Sequence, residues 1–125
     1  MMFLKIFARS LRHALAGIRY AFREERNFQI EIVLAIAALG LAFFLPLSSV
    51  ERAVIFLLVG FILSLELINT AFERLLDLLK PRVHPYVKVV KDVVAGSVLL
   101  GSLSALAVGM YIFWPYIWQT IWLYS

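Results

Sequence analysis

The chain contains no cysteine among its 125 residues. That removes disulfides, zinc–thiolate sites and cysteine nucleophiles together. Charge is sparse, at 16% of residues, and no basic residue follows Lys91. Neither a GxxxxGK[ST] loop nor a glycine-rich kinase loop occurs, so the familiar phosphate cradles are missing. A cleavable leader is also not expected. The N-terminal positive charges run on through Arg26, and no small-residue cleavage site follows the first apolar run. The net charge of +4 would suit a nucleic-acid binder, but long apolar runs would not.

What fills the chain is hydrocarbon. Apolar residues make up 63% of it, and the mean hydropathy is +0.92. A water-soluble domain would be nearer half apolar, so a bilayer has to cover the excess. The length suits a single domain. It is too short to enclose a large cavity alone, so a functional site calls for neighbouring copies.

Residues 1–26 read as an amphipathic surface helix. Phe3, Ile6, Phe7, Leu11, Leu15, Ile18 and Phe22 recur at steps of three or four, with Lys5, Arg9, Arg12, Arg19, Arg23 and Arg26 mostly opposite. Such a helix lies in the membrane interface. Helices containing three spans follow, over residues 27–46, 52–80 and 91–114. The first includes the apolar run Ile30 to Leu45, with Glu31 at the interface if the helix begins near Asn27. Pro46, Leu47, Ser48 and Ser49 form a turn, with Ser49 placed as an N-cap. The second runs from Ala53 through Phe72, with helical periodicity continuing to a polar loop from Lys80 to Pro85. The third runs from Val93 to Phe113, with Pro115 and an aromatic tail over 115–125 beyond it. Ser97, Gly101, Ala105 and Gly109 form a ridge of small side chains along it, a helix-contact signal. The fold class is therefore an all-α membrane protein. The basic residues concentrate before the first span and between the second and third, which puts those segments and the N-terminus in the cytoplasm and the C-terminus outside.

The chemistry concentrates at that cytoplasmic border. Glu66, Asn69, Glu73 and Asp77 are spaced three, four and four apart. They fall within an arc of roughly 80° on one helix face. Carboxylates inside a spanning helix face protein, metal or water rather than lipid. Taken singly, Asn69 could be interhelical glue, and Glu73 and Asp77 solvated interfacial charges. Lys91 and Asp92, with Lys88 one turn before Asp92, could form a plain surface ion pair. The topology nevertheless gathers these groups with Glu24, Glu25 and Asn27 in one thin layer. Clustered carboxylates suit a hard divalent cation, and Mg²⁺ held by one or two carboxylates plus phosphate oxygens is usual at nucleotide sites. A nearby lysine would neutralise phosphate charge.

The run Glu66-Leu67-Ile68-Asn69-Thr70-Ala71-Phe72-Glu73, with Asp77 one turn on, resembles the signature of the small bacterial membrane lipid kinases. These are the prokaryotic diacylglycerol kinase and undecaprenol kinase family. His84-Pro85 and Lys91-Asp92-Val93-Val94-Ala95-Gly96-Ser97 resemble its second block, and Ala21 to Phe28 a third. The similarity runs from about residue 9 to 110. The Gram-negative diacylglycerol kinase pattern reads closer to ExLNSAIE, with Gln-Glu in place of Glu24-Glu25. Arg26-Asn27-Phe28 and Asn69-Thr70 look more like the undecaprenol kinases, and Phe72 replaces the isoleucine usual in both.

The resemblance implies an ATP- and Mg²⁺-dependent kinase of the bacterial plasma membrane, built as a homotrimer with active sites shared between protomers. It implies Glu66 as the general base toward the lipid hydroxyl, and Glu25 and Glu73 as metal ligands. Asn69, Lys91 and Asp92 would position or neutralise the phosphates, with Asp77 and His84 near the nucleotide. The expected acceptor is undecaprenol, with diacylglycerol the alternative. A pore or scaffold protein is the non-enzymatic rival, and it leaves the clustered acids at one membrane border without a role.

Overall fold

Residues 1–79 and 85–125 are described by a computed structural model. They form four helices: α1 (Met2–Glu24), α2 (Arg26–Phe44), α3 (Ser49–Leu79) and α4 (Tyr86–Tyr124). The last three are each long and apolar enough to cross a membrane. At about 1.5 Å per residue, the 19 residues of α2 reach roughly 28 Å, close to the thickness of a hydrocarbon core.

α1 keeps its apolar stripe outward. Phe3, Ile6, Phe7, Leu11, Leu15, Ile18 and Phe22 are all exposed. A helix that keeps its apolar face exposed in this way matches one lying in a bilayer interface. The break between α1 and α2 is a single extended residue, Glu25, at φ −110° and ψ 109°. Two side contacts secure it. The Gln29 side-chain amide donates back across the break to the Phe22 carbonyl at 2.9 Å, and Ala21 and Phe28 are buried on either side. The surface helix thus ends at Glu24 rather than at residue 26, and α2 starts one residue earlier than the composition suggests.

α3 is the central element: α2 and α4 each pack against it, and α1 touches both α2 and α3. The core sits at the end far from α1, where Ala42, Leu45, Leu47, Ile55 and Ile112 are buried together. There the start of α3 carries a capping box centred on Ser48 rather than Ser49. The Glu51 backbone N–H donates to Ser48 Oγ, and the Ser48 N–H donates to Glu51 Oε1, both at 3.1 Å. Tyr116 OH donates to the same Glu51 oxygen at 2.6 Å, tying α4 to α3. Arg52 Nε donates to the Ala42 carbonyl at 2.9 Å, occupying an acceptor that the end of α2 leaves open.

α4 passes straight through Pro115 to Tyr124, so the aromatic tail is helical. Proline deletes one backbone donor, a loss that membrane helices tolerate. Beyond the proline, Trp118 stacks on Trp114 and meets Trp122 at a tilt, with centroids 5.9 Å apart in each pair. Of the small-residue ridge, Gly101 makes the close approach: a Cβ there would stand 2.5 Å from Leu65 Cδ1. Ala105 and Gly109 instead line a cleft. The polar loop expected around residues 80–84, His84 included, lies outside the described residues.

Candidate active site

Helical spacing places Glu66 and Glu73 on one face of α3, and Glu66 there meets the fields of Glu25 and of Glu31 in α2. Glu66 is only 2% exposed and Asn69 is buried beside it. One turn on, Asn69 Nδ2 donates to Glu73 Oε1 at 3.1 Å, which fixes that carboxylate. The Glu66 carboxylate lies close enough to those of Glu73 and Glu25 for direct electrostatic interaction. Glu25 reaches this group because the chain is extended there: the α1–α2 break projects it toward α3, where Arg74 Nη2 donates to its Oε1. Carboxylates from two separate parts of the chain therefore act on Glu66 within a single protomer.

The remaining site residues form an outer layer. Asp77, one turn beyond Glu73, accepts from Lys91 Nζ at 3.3 Å, joining α3 to α4. Asp92 pairs with Lys88 at 2.8 Å on the exposed surface of α4. Lys91 and Asp92 are thus near the site's rim and open to the outside, and neither is buried among the inner acids.

Two residues stand out that composition and spacing passed over. Glu31, read as an interfacial charge, has a buried Oε2 without a hydrogen-bond partner among the described residues, and it interacts electrostatically with Glu66. Its signal was an acid inside the first apolar run, six residues after Glu25. Arg74 was counted only as a positive charge, yet it is the partner of Glu25 and lies with its guanidinium 5.7 Å from the Tyr20 ring centroid. No pattern in the linear sequence pairs positions 25 and 74.

An apolar cleft of about 450 Å³ reaches Glu31, the residue that interacts with Glu66. Leu34 and Ala38 of α2, Ile62 of α3, and Leu106 and Met110 of α4 line it, and Glu31 stands at its polar end. It forms because α2 and α4 both lean on α3 without packing on each other. Its α4 wall, from Ser102 to Ile117, is roughly 22 Å long. A cleft of this length, almost wholly apolar and with the Glu31 carboxylate at one end, suits a long hydrocarbon with one polar terminus.

The donor set is all oxygen, which fits a hard cation. Among the described residues, no three carboxylates or imidazoles converge as a metal-binding group. A cation here would take one or two protein carboxylates and complete its shell with phosphate oxygens and water, the usual manner of Mg²⁺. Glu25 and Glu73 are the two carboxylates that act on Glu66.

Comparison with known proteins agrees with this chemistry. Residues 12–113 match the family model described as prokaryotic diacylglycerol kinase. The chain is 42% identical to the undecaprenol kinase of Bacillus subtilis (strain 168) over 112 residues, covering 90% of this chain and 91% of that one. It is 40% identical over 101 residues to a diacylglycerol kinase of Synechocystis, covering 80% of this chain and 58% of the longer relative. A diacylglycerol kinase of Helicobacter pylori (strain J99) is 28% identical over 116 residues, covering 93% of this chain and 83% of that protein. With three helices long and apolar enough to span a membrane and these relatives, the chain belongs to the prokaryotic diacylglycerol kinase family of membrane lipid kinases.

Proposed function

We propose that the protein transfers the γ-phosphoryl group of ATP to the hydroxyl of undecaprenol, yielding undecaprenyl phosphate and ADP at the cytoplasmic border of the bacterial plasma membrane. The observation that carries this reading is an apolar cleft lined at one end by Glu31, which interacts with buried Glu66, itself within electrostatic reach of Glu25 and Glu73. The two substrates live in different phases and can meet only at such a border.

The lipid chain occupies the cleft, with its hydroxyl at the Glu31 end. Glu66 orients the hydroxyl and accepts its proton as the oxygen attacks the γ-phosphorus in line. The bond to the ADP oxygen breaks as the new P–O bond forms. Asn69 holds Glu73 in place. Lys91 neutralises phosphate charge at the rim, and Asp77, His84 and Asp92 complete the nucleotide's surroundings. Mg²⁺, held by Glu25 and Glu73 with phosphate oxygens, supplies charge neutralisation when bound.

The quaternary reading is a homotrimer in which neighbouring copies contribute to each site. The exposure of Lys91 and Asp92 on α4 supports it, since they can face a second protomer as readily as their own. The N-terminus and the segment between α3 and α4 lie in the cytoplasm, and the C-terminus outside, following the basic residues. A second reading, diacylglycerol as acceptor, draws support from the relatives that carry that name. Transfer of labelled phosphate from ATP to each lipid alcohol in detergent or bilayers tests the choice. Faster labelling of undecaprenol is expected, and labelling of diacylglycerol alone would reverse the assignment.

A further inference from the structure

Arg74 is held at the site by two contacts that its sequence position does not explain. Its Nη2 donates to Glu25 Oε1, and its guanidinium lies over the Tyr20 ring. The Glu25 side chain is 16% exposed, while that of Arg74 is 51% exposed. The carboxylate is thus the shielded partner of the pair, and the guanidinium the one that borders solvent. Glu25 also faces the Glu66 carboxylate, so this ion pair tempers a repulsion between acids.

A divalent cation binding Glu25 would stand beside the guanidinium and compete with it for the same carboxylate oxygen. Two cations cannot share that oxygen without strong repulsion, and the half-exposed arginine is the one able to leave. Once released it remains within a side-chain length of the site, where the metal's triphosphate brings excess negative charge. A planar guanidinium is well suited to phosphate oxygens.

Resting on the reading of Glu25 as a metal ligand, we propose that Arg74 is a positioning residue that holds Glu25 until a divalent cation displaces it, and then turns to the phosphates of the nucleotide. The exchange couples metal and nucleotide binding: metal alone must expel a cation, while metal with triphosphate gives that cation a new partner.

The test is Mn²⁺ binding to the purified full chain in detergent, read from the free-ion paramagnetic resonance signal. It compares wild type with Arg74→Met, Arg74→Lys and Glu25→Gln, with and without an ATP analogue whose γ-phosphate cannot be transferred. Without nucleotide, Arg74→Met should bind Mn²⁺ about three- to fivefold more tightly, the scale of a partly exposed ion pair. Arg74→Lys, which keeps the charge, should stay close to wild type. The analogue should tighten Mn²⁺ binding more in wild type than in Arg74→Met. If Arg74→Met does not fold, Arg74→Gln reads the same loss of charge. Unchanged Mn²⁺ affinity on removing the charge, with affinity weakened in Glu25→Gln, overturns the role of Arg74 and leaves the metal reading standing. Unchanged affinity in Glu25→Gln overturns both.

Discussion

Replacing Glu66 by glutamine separates the chemical role of this side chain from its structural one. The substitution keeps shape and volume at a position only 2% exposed, so packing on α3 is conserved. It removes a carboxylate that faces Glu73 and Glu25, and so relieves repulsion. Burying an ion costs several kcal/mol, whereas burying an amide costs less, so the variant should unfold at the same temperature as wild type or higher. Its loss should fall on catalysis. A positioned general base contributes about 10²–10⁴ in rate, equivalent to about 3–5 kcal/mol of barrier. The assay is initial-rate transfer of labelled phosphate from ATP to lipid alcohol, run beside thermal unfolding in the same detergent. Turnover within a few-fold of wild type would refute the assignment of Glu66 as base. Lost turnover accompanied by lost thermal stability would refute the argument that its role is chemical.

Glu31→Gln should lower kcat/KM for the lipid about tenfold and leave the KM for ATP unchanged, because Glu31 stands at the lipid end of the site; steady-state kinetics in each substrate checks this. Ala105→Phe should fill the cleft beside Leu106 and slow phosphorylation of a long-chain alcohol far more than that of a short-chain one. Gly101→Val should destabilise the α3–α4 contact by about 1–3 kcal/mol, since even a Cβ would stand 2.5 Å from Leu65 Cδ1; denaturation in mixed micelles measures it. Tyr116→Phe removes the hydrogen bond to Glu51 at the end far from the site, and should lower the melting temperature with activity retained.

The main helices were legible because their signals are strong and local. The three-to-four periodicity of Phe3 through Phe22 announces an interfacial helix, and long apolar runs announce the spans. Boundaries were less legible where one residue decides them. Nothing in Glu24-Glu25-Arg26 breaks a helix by propensity. The chain turns there because α1 keeps its apolar stripe outward while α2 is apolar along its length, and the Gln29 contact that secures the turn spans seven residues. Pro115 suggested an end to α4, but the helix continues past it to Tyr124, a continuation that membrane helices tolerate. At the site, Glu66, Asn69 and Glu73 were readable because one helix face holds them all. Glu31 and Arg74 were not, because their significance lies in contacts between elements: Glu31 with Glu66 across α2 and α3, and Arg74 with Glu25 over 49 positions.

The central claim is that carboxylates from the α1–α2 break and from α3 together serve phosphoryl transfer to a membrane alcohol. It is tested most directly by labelled transfer from ATP to undecaprenol and to diacylglycerol, across a Mg²⁺ titration, for wild type, Glu25→Gln and Glu73→Gln. Wild type should label undecaprenol faster than diacylglycerol, and each variant should need a higher Mg²⁺ concentration for half-maximal rate. Absence of labelled lipid with wild type, or variants with the wild-type Mg²⁺ requirement, would contradict it.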